Sequence, residues 1–259
     1  MKSSSVKTRL AAAAGLLIVL AGGAWLWIFR GLPAGEELRA QLLARYSARA
    51  VPSWTPIWTV STQLQTTVVL WEDPDFPSHH GIAFREIPRA MVMDLRAGKY
   101  ASGASTITQQ VAKNLFLSQE KTIRRKLREA VLAWRLEDIL SKEQILEIYL
   151  NIADWGEGVT GAEAAARFYF GKPASGLNWA ESAMLAGLLP NPRRRQPFLD
   201  LDTAMRNRAV VLKKLLDCNE ITQEEYGRAM ATPWFPPAPL PQIHPAPGEP
   251  PAVHPGNAR

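Results

Sequence analysis

The chain has 259 residues, 47% of them hydrophobic, so it can bury one sizeable core but has little room for two full domains. Its formal net charge of +6 suits an anionic partner, whether nucleic acid, a phospholipid surface or a phosphorylated substrate. The single cysteine, Cys218, excludes an internal disulfide and a cysteine-based metal cluster, and two of the four histidines lie in a proline-rich tail.

An apolar run without charges occupies residues 11–29 near the N-terminus. As a helix rising 1.5 Å per residue it would span the roughly 30 Å hydrocarbon layer of a bilayer. A cleaved signal peptide is the alternative, since Gly22 and Ala24 could precede a cleavage site, but aromatic residues prolong the apolar stretch to Phe29. We therefore predict a transmembrane helix over 11–29 after a cytoplasmic segment 1–10. Cations flank both ends, so counting them does not decide the orientation.

The segments after the apolar run predict a helical protein. Residues 30–65 form a connector, in which leucines at helical spacing over 36–50 indicate a short amphipathic helix. The stretch 58–70, rich in threonine and valine, favours a short strand or an extended lead-in. From 88 to 218 the pattern is predominantly helical. The proline-rich residues 229–259 predict a disordered tail.

Three carboxylates crowd into the first polar block, at Glu72, Asp73 and Asp75. They stand beside Phe76 and two histidines, just before Gly81. Neighbouring carboxylates and partial desolvation raise the pKa of one acid towards neutrality, as a general base requires. Taken alone, such a block is more often a solvated acidic loop.

Hydroxylic residues after a glycine turn predict where the next helix begins. Thr106 and Gln109 have the spacing of a capping box. Free N–H groups and the positive dipole end at such a terminus favour an anion. Lys113 follows Gln109 by four residues. Asn114 follows Gln110 by the same interval, so polar side chains continue along neighbouring helix faces. The alternative is a capped surface helix without a ligand.

A third block is basic and opens a further helix. Glu129 shares the face of this helix that carries leucines, which is an unusual place for a carboxylate, and Arg125 and Lys126 lie one turn before it. Either the acid is a structural salt-bridge hub, or it orients basic groups that bind phosphate. A fourth block, 142–151, has an apolar face and is mainly architectural, with Glu147 available for a supporting hydrogen bond.

The four blocks together closely resemble those of the peptidoglycan glycosyltransferases, the family that also forms the glycosyltransferase half of class A penicillin-binding proteins. Its patterns EDxxFxxHxG, GxSTxxQQxxKN, RKxxE and KxxILExYLN are all met, beginning at residues 72, 103, 125 and 142. Arg208, followed by an apolar pair, resembles a fifth block. The resemblance covers about residues 66–225. Ala83 and Ala104 depart from it, where the family commonly has aspartate and glycine.

The resemblance implies a mainly α, lysozyme-like glycosyltransferase domain over residues 66–228, with a small membrane-proximal lobe and one N-terminal transmembrane helix. It also implies a single-pass protein of the cytoplasmic (inner) membrane whose catalytic domain lies on the periplasmic side, because peptidoglycan precursors are polymerised there.

The resemblance further implies the reaction. Glu72 would be the general base in adding lipid II to a growing polyprenyl-diphosphate-linked strand, with inversion and release of polyprenyl diphosphate. Asp73 would support it, and Glu129 would position neighbouring groups or a divalent ion. The substrate and diphosphate would be bound by Ser105, Thr106, Gln109, Gln110, Lys113, Asn114, Arg125, Lys126 and Arg208. A divalent cation such as Mg²⁺ or Mn²⁺ is the one cofactor left open. Cell-wall synthesis or division proteins are candidate partners, and nucleic acid is not expected.

Two other functions remain open from the sequence. A lysozyme-like peptidoglycan hydrolase also uses two carboxylates in a helical domain. A catalytically silent scaffold of the cell-wall machinery would use the anchor and the tail instead. A penicillin-binding transpeptidase is excluded: residues 118–121 match SxxK, but no KTG follows and too few residues lie beyond Tyr226 for that domain. β-Lactams are therefore not expected to inhibit the protein.

Overall fold

The computed structural model describes residues 2–48, 54–84, 105–118, 120–156, 158–192 and 194–237. Within these ranges the chain forms ten α-helices, in the order α1 (Lys2–Phe29), α2 (Gly35–Ala48), α3 (Thr62–Glu72), α4 (Ile107–Phe116), α5 (Ile123–Ile139), α6 (Lys142–Ile152), α7 (Ala162–Phe170), α8 (Trp179–Leu188), α9 (Leu201–Asp217) and α10 (Gln223–Ala231). Two short 3-10 helices lie at Ile57–Thr59 and Ala174–Gly176.

The prediction of a mainly α fold is confirmed. Across the described ranges the only β pairing is an isolated bridge between Asp154 and Thr160. Gly103, Ala104 and residues 238–259, which include most of the predicted tail, lie outside the described residues. The lysozyme-like division into a larger and a smaller lobe stays a prediction.

Helix α1 contains the predicted membrane segment. Its residues Ala12–Phe29 have a mean hydropathy of 2.1 and none of them is buried in the protein, so by length and composition this helix can cross a membrane. The helix begins earlier than the predicted start at residue 11, because residues 2–10 continue the same helical turns.

The predicted strand or extended segment over 58–70 is wrong. A 3-10 turn at Ile57–Thr59 is followed by helix α3, whose start is capped by Ser61, the side chain of which accepts a hydrogen bond from the Leu64 backbone N–H at 3.2 Å. Leu64, Thr67 and Val68 are buried on one helical face. The gain from burying that face outweighs the modest helix propensity of β-branched residues. The predicted domain start at residue 66 therefore falls inside a helix.

Helices α6 and α8 form the centre of the core. Eight of the ten residues of α8 are buried, as are seven of the eleven of α6, which is the pattern of helices that are covered on nearly every side. Helix α3 packs on α8 and α9, and α4 packs on α5 and α6. The end of α3 nevertheless meets the start of α4, because Asp73 accepts a hydrogen bond from the Ile107 backbone N–H at 2.9 Å.

The chain is packed beyond the predicted start of the disordered tail at residue 229. Helix α10 continues to Ala231. The indole N–H of Trp234 donates to the backbone carbonyl of Tyr169 at 3.1 Å, and its ring lies edge-on to Phe198. Residues 229–237 thus belong to the folded part, because an aromatic anchor holds them against the core.

Helix α5 is joined to the end of α1, the candidate membrane helix. Three arginines on one face of α5 donate hydrogen bonds to backbone carbonyls at the end of α1 and in the turn after it: Arg124 to Trp27 at 3.1 Å, Arg128 to Arg30 at 3.2 Å and Arg135 to Pro33 at 2.8 Å. Cations suit this end of a helix, where carbonyls lack intrahelical partners. These contacts connect α5 directly to the C-terminal end of α1.

The loop after α3 is held against three helices. Phe76 is buried, and the Lys142 ammonium lies 4.5 Å from its ring centroid. The same ammonium donates to the backbone carbonyl of His79 and to Oε1 of Glu137, both at 2.7 Å. Thr108 donates to that carboxylate oxygen at 2.6 Å. Contacts from α4, α5 and α6 thereby determine where the loop runs.

Gly81 lies in this loop at a point where no side chain fits. Its φ is +78°, and an added Cβ would lie 2.8 Å from the Ala133 carbonyl carbon and from the Trp134 nitrogen of α5. Its own carbonyl accepts a hydrogen bond from Thr106 Oγ1 at 2.8 Å. Glycine is required here both for the left-handed backbone and for the close approach to α5.

We expect Gly81→Ala to lower the free energy of unfolding by about 3 kcal/mol, since left-handed strain and overpacking act together. Chemical denaturation of the detergent-solubilised protein would measure this. Gly158→Ala is the matched control: its φ is +76° but nothing lies within 4 Å of the added Cβ, so strain alone should cost about 1 kcal/mol. Equal losses for the two variants would contradict the close-packing explanation.

Candidate active site

Glu72, the last residue of α3, is a half-buried carboxylate with an amide donor. Its Oε2 accepts a hydrogen bond from Nε2 of Gln110 at 2.8 Å. Burial raises the pKa of this carboxyl. That hydrogen bond and the positive charges of Lys214 and Lys113 oppose the rise, and the charge of Asp73 adds to it. An acid with a raised pKa exchanges its proton closer to neutral pH, as a general base must.

Tyr149 of α6 orients the amide that binds Glu72. Its hydroxyl donates to Oε1 of Gln110 at 3.4 Å. Burial, and then the negative charge of Glu72, raise the pKa of the phenol well above 10, so the phenol remains a donor at neutral pH. Because the Gln110 carbonyl oxygen faces this donor, its NH2 group faces the carboxylate. The result is a partly buried chain of hydrogen bonds from Tyr149 through Gln110 to Glu72.

Asp73 occupies the anion-binding end of α4. This buried carboxylate accepts a hydrogen bond from the backbone N–H of Ile107 at 2.9 Å, and its Oδ2 lies 2.9 Å from Nε2 of His79. The N-terminus of α4 was predicted to favour an anion. The anion that the structure places there is an acid of the chain itself. Asp73 therefore ties the end of α3 to the start of α4.

The capping box predicted at the start of α4 is confirmed. Thr106 accepts from the Gln109 backbone N–H at 3.1 Å, and the Gln109 side chain accepts from the Thr106 backbone N–H at 3.1 Å. Both side chains are buried. The structure thus uses their polar atoms for the helix start, whereas Ser105, just before it, accepts a hydrogen bond from Lys126 Nζ at 2.7 Å.

Glu129 lies between two cations on α5. It is 1% exposed, and its two carboxylate oxygens accept bonds from Arg125 and Lys126. Both possibilities left open by the sequence require these ion pairs, since a structural hub and an acid that orients phosphate-binding cations share them. The side chain of Lys126 is nevertheless 45% exposed, so it can also reach a ligand. We refer to Arg125, Lys126 and Glu129 as the α5 charge cluster.

Lys113 connects Glu72 with the α5 charge cluster. Burial lowers the pKa of Lys113. The charge of Glu129 opposes this, those of Arg125 and Lys126 add to it, and that of Glu72 opposes it. Lys113 is therefore close enough to both carboxylates to feel their charges. Hydrogen bonds give the same result, since Gln110 binds Glu72 and Ser105 binds Lys126. The acid and the cations, which stand about 50 residues apart in the sequence, therefore lie in one site.

Asn114 and Arg208 are the remaining predicted site residues. Asn114 is half-buried in the last turn of α4, next to Lys113. Arg208 is 3% exposed on α9, and its guanidinium donates to the backbone carbonyls of Thr232 at 2.8 Å and Met230 at 3.2 Å. The structure thus brings Arg208 to the end of α10 rather than to Glu72, where it holds the C-terminal segment.

A divalent cation does not fit the acid proposed to hold it. Both oxygens of Glu129 already accept bonds from positively charged side chains, and these charges would repel a metal ion. Across the part of the chain that the structure describes, no group of three His, Cys, Asp or Glu side chains could bind one.

Two residues beside the site were not identified from the sequence. Tyr149 lies in the fourth block and was assigned an architectural role. A buried tyrosine hydroxyl needs a hydrogen-bond partner, and that requirement is the signal that could have identified it. Lys214 acts on Glu72 from α9, and its partner Leu70 lies 144 residues earlier. No local pattern indicates such a contact.

Comparison with known proteins identifies relatives of the whole site region. The model of the Transglycosylase family matches residues 39–216. A biosynthetic peptidoglycan transglycosylase from Nitrosomonas eutropha is 44% identical over 169 residues, which are 65% of this chain and 69% of that protein. One of the same description from Methylobacillus flagellatus is 43% identical over 171 residues, 64% of this chain and 75% of that protein.

A longer protein matches over the same region. Penicillin-binding protein 1A from Aquifex aeolicus is 44% identical over 165 residues, which are 64% of this chain but 23% of that protein. A crystal structure of penicillin-binding protein 1A from Haemophilus influenzae overlaps 50% of this chain and 16% of its own, with 29% identity and a TM-score of 0.36. The fold described above does not depend on that partial overlap.

The raised pKa of Glu72 makes its ionised form costly, so we expect Glu72→Gln to stabilise the protein as pH increases. The protonated Glu72 carboxyl adds to the stability of the folded state, and this contribution is fully present below pH 4.5, the pKa of the group in the unfolded chain. It is lost as pH rises through the higher pKa of the folded state. Denaturation at several pH values should therefore show that the free energy of unfolding of the variant, relative to that of the wild type, increases above about pH 4.5.

Glu225→Gln should show the opposite slope. Hydrogen bonds from the backbone and side chain of Thr222 lower the pKa of Glu225. The ionised Glu225 carboxylate therefore stabilises the folded state above pH 4.5, and this stabilisation is lost as pH falls through the lowered pKa. If the difference in free energy of unfolding between Glu72→Gln and the wild type does not vary with pH, the raised pKa of Glu72 is contradicted.

Proposed function

Since the chain belongs to the transglycosylase family and is a peptidoglycan glycosyltransferase, we propose that it polymerises lipid II into β-1,4-linked glycan strands with Glu72 as general base. One observation carries the proposal: the start of α4 contacts both groups, because Gln110 donates to Glu72 at 2.8 Å and Ser105 accepts from Lys126 of the α5 charge cluster at 2.7 Å. A proton acceptor and a patch of positive charge thus lie within one site, which is what transfer of a sugar from a diphosphate requires.

In the proposed reaction Glu72 accepts the proton of the acceptor sugar 4-hydroxyl as that oxygen attacks the anomeric carbon of the donor. The bond from this carbon to the diphosphate oxygen breaks, and attack from the opposite face inverts the configuration from α to β. Burial of Glu72 supports the proton transfer, because it raises the pKa of the carboxyl. Gln110, held by Tyr149, fixes the orientation of the carboxylate.

The leaving group is stabilised by the cations across the site. Negative charge grows on the diphosphate as its bond to the sugar breaks, so fixed positive charge lowers the energy of the transition state more than that of the ground state. Lys113, Arg125 and Lys126 supply three formal positive charges, and Glu129 removes one. Two positive charges remain for the diphosphate. Glu129 acts by holding two of these cations in place.

The N-terminal helix supports a membrane-bound reaction. Both proposed substrates carry polyprenyl tails, so anchoring by α1 confines the enzyme and substrates to one surface and raises their effective concentration. We place residues 1–10 in the cytoplasm and the catalytic domain on the periplasmic side of the inner membrane. The three arginine contacts between α5 and the end of α1 then hold the charge cluster near the bilayer.

We expect Glu72→Gln to reduce polymerisation of lipid II by about 10²- to 10⁴-fold, the usual contribution of a general base. The amide keeps the size of the side chain but cannot accept the proton. The measurement is the rate at which the purified full-length protein converts labelled lipid II into glycan polymer. Preformed glycan in a parallel assay should not be shortened, since a hydrolase would shorten it.

Glu143→Gln is the control for this variant, since Glu143 is an exposed acid in the first turn of α6. Its polymerisation rate should equal that of the wild type. A Glu72→Gln protein that polymerises normally would disprove the base assignment, and a wild type that forms no polymer would favour the silent scaffold.

Lys113→Gln should lower kcat for polymerisation by about 10²-fold, with a smaller effect on KM, because its charge acts mostly on the developing diphosphate. Lys213→Gln removes an exposed cation that pairs with Asp217 on α9 and should leave both constants unchanged. A steady-state series in lipid II concentration separates the two effects. An increase in KM alone would assign Lys113 to substrate binding and contradict its role in the transition state.

A further inference from the structure

The last turn of α3 carries Glu72 and needs partners for its carbonyl groups. The final four carbonyls of a helix have no intrahelical donor. The Val69 carbonyl accepts from the backbone N–H of Asp73 at 2.8 Å. The Leu70 carbonyl accepts from Nζ of Lys214 at 2.5 Å. A side chain from α9 thus completes the end of the helix that presents the general base.

Lys214 makes a second contact in the same turn. Its ammonium lies 5.4 Å from the centroid of the Trp71 ring. It therefore contacts both residues that immediately precede Glu72. A cation is favourable at this end of a helix, where the dipole is negative, and a cation over an indole ring adds to the attraction.

We infer that Lys214 is a positioning residue for the general base, which holds the last turn of α3 in place and supplies a fixed positive charge beside the carboxylate. The inference rests on the proposed role of Glu72. It adds to that proposal a residue outside the four sequence blocks, on a helix that contributes no other group to the site among the described residues.

The electrostatic surroundings of Glu72 show what removal of Lys214 would change. Asp73 raises the pKa of the carboxyl, whereas Lys214 and Lys113 lower it. Tyr149 contributes a neutral hydroxyl through Gln110.

Helix α8, which packs on both α3 and α9, adds no charge to this group. Its only titratable side chain is Glu181, which pairs with Lys172. Without Lys214, the described cations that lower the pKa of Glu72 are reduced to Lys113, and the pKa of the carboxyl rises further.

Three substitutions of Lys214 separate its two roles. Lys214→Met removes both the donor to Leu70 and the charge. Lys214→Gln keeps a donor but removes the charge, and it remains informative if the methionine variant folds poorly. Lys214→Arg keeps both. Lys213→Gln is the matched control, because it removes the charge of the neighbouring residue, whose side chain is exposed and pairs with Asp217.

The experiment is the pH profile of kcat for lipid II polymerisation by the full-length protein. A base works only when deprotonated, so its pKa sets the acidic limb. We expect this limb to move to higher pH in Lys214→Met and Lys214→Gln, so that the loss of kcat is larger at about pH 6 than at about pH 8.5. Lys214→Arg and the control should keep the profile of the wild type.

The outcomes distinguish this inference from the function on which it rests. If the wild type polymerises lipid II but the acidic limb of the pH profile is unshifted in Lys214→Met and Lys214→Gln, the role of Lys214 is overturned and the proposed function is left intact. A rise in KM without a shift would likewise overturn it in favour of a substrate contact. Loss of kcat by the same factor at every pH would show a structural role only. Failure of the proposed function itself appears separately, as a wild type without polymerase activity.

Discussion

The structure depends on burying one carboxylate, that of Glu72, at the end of a helix without neutralising it completely. Burial raises its pKa, while Gln110 and two lysines limit that rise. A carboxylate with stronger partners would be a poor base, and one with none would be protonated or would disrupt the fold. Three helices supply these partners, α4 through Gln110 and Lys113, α6 through Tyr149 and α9 through Lys214.

The polar residues around this acid form two groups: some bind backbone groups, and others interact with the Glu72 carboxylate. Asp73 and the capping pair Thr106 and Gln109 use their polar atoms to fix the start of α4. Their neighbours Gln110 and Lys113 face Glu72, one turn further along the same helix. A rigid helix start is thereby what places the functional side chains, because groups on a helix can be positioned more accurately than those on a loop.

Helix α5 joins the site to α1, the candidate membrane helix. One of its faces carries the arginines that bind carbonyls at the end of α1, and another carries Arg125, Lys126 and Glu129. The two sets alternate along the same turns, so a shift of α5 relative to α1 would move the charge cluster as well. For the lipid-linked substrates proposed above, this coupling would keep the α5 charge cluster at a constant height above the bilayer.

The sequence by itself determined the features that depend on local spacing. It predicted the apolar helix, the capping box of Thr106 and Gln109, and the grouping of Glu129 with Arg125 and Lys126, because helix starts and neighbouring turns involve residues three or four apart. It misjudged α3, where burial of one face outweighed β-branched propensity.

Only the tertiary structure decided that Asp73 fills the α4 terminus, that Arg208 binds the end of α10, and that Tyr149 and Lys214 reach Glu72. Those contacts join residues far apart in the chain. They follow from how the helices pack against one another, which no local pattern of residues specifies.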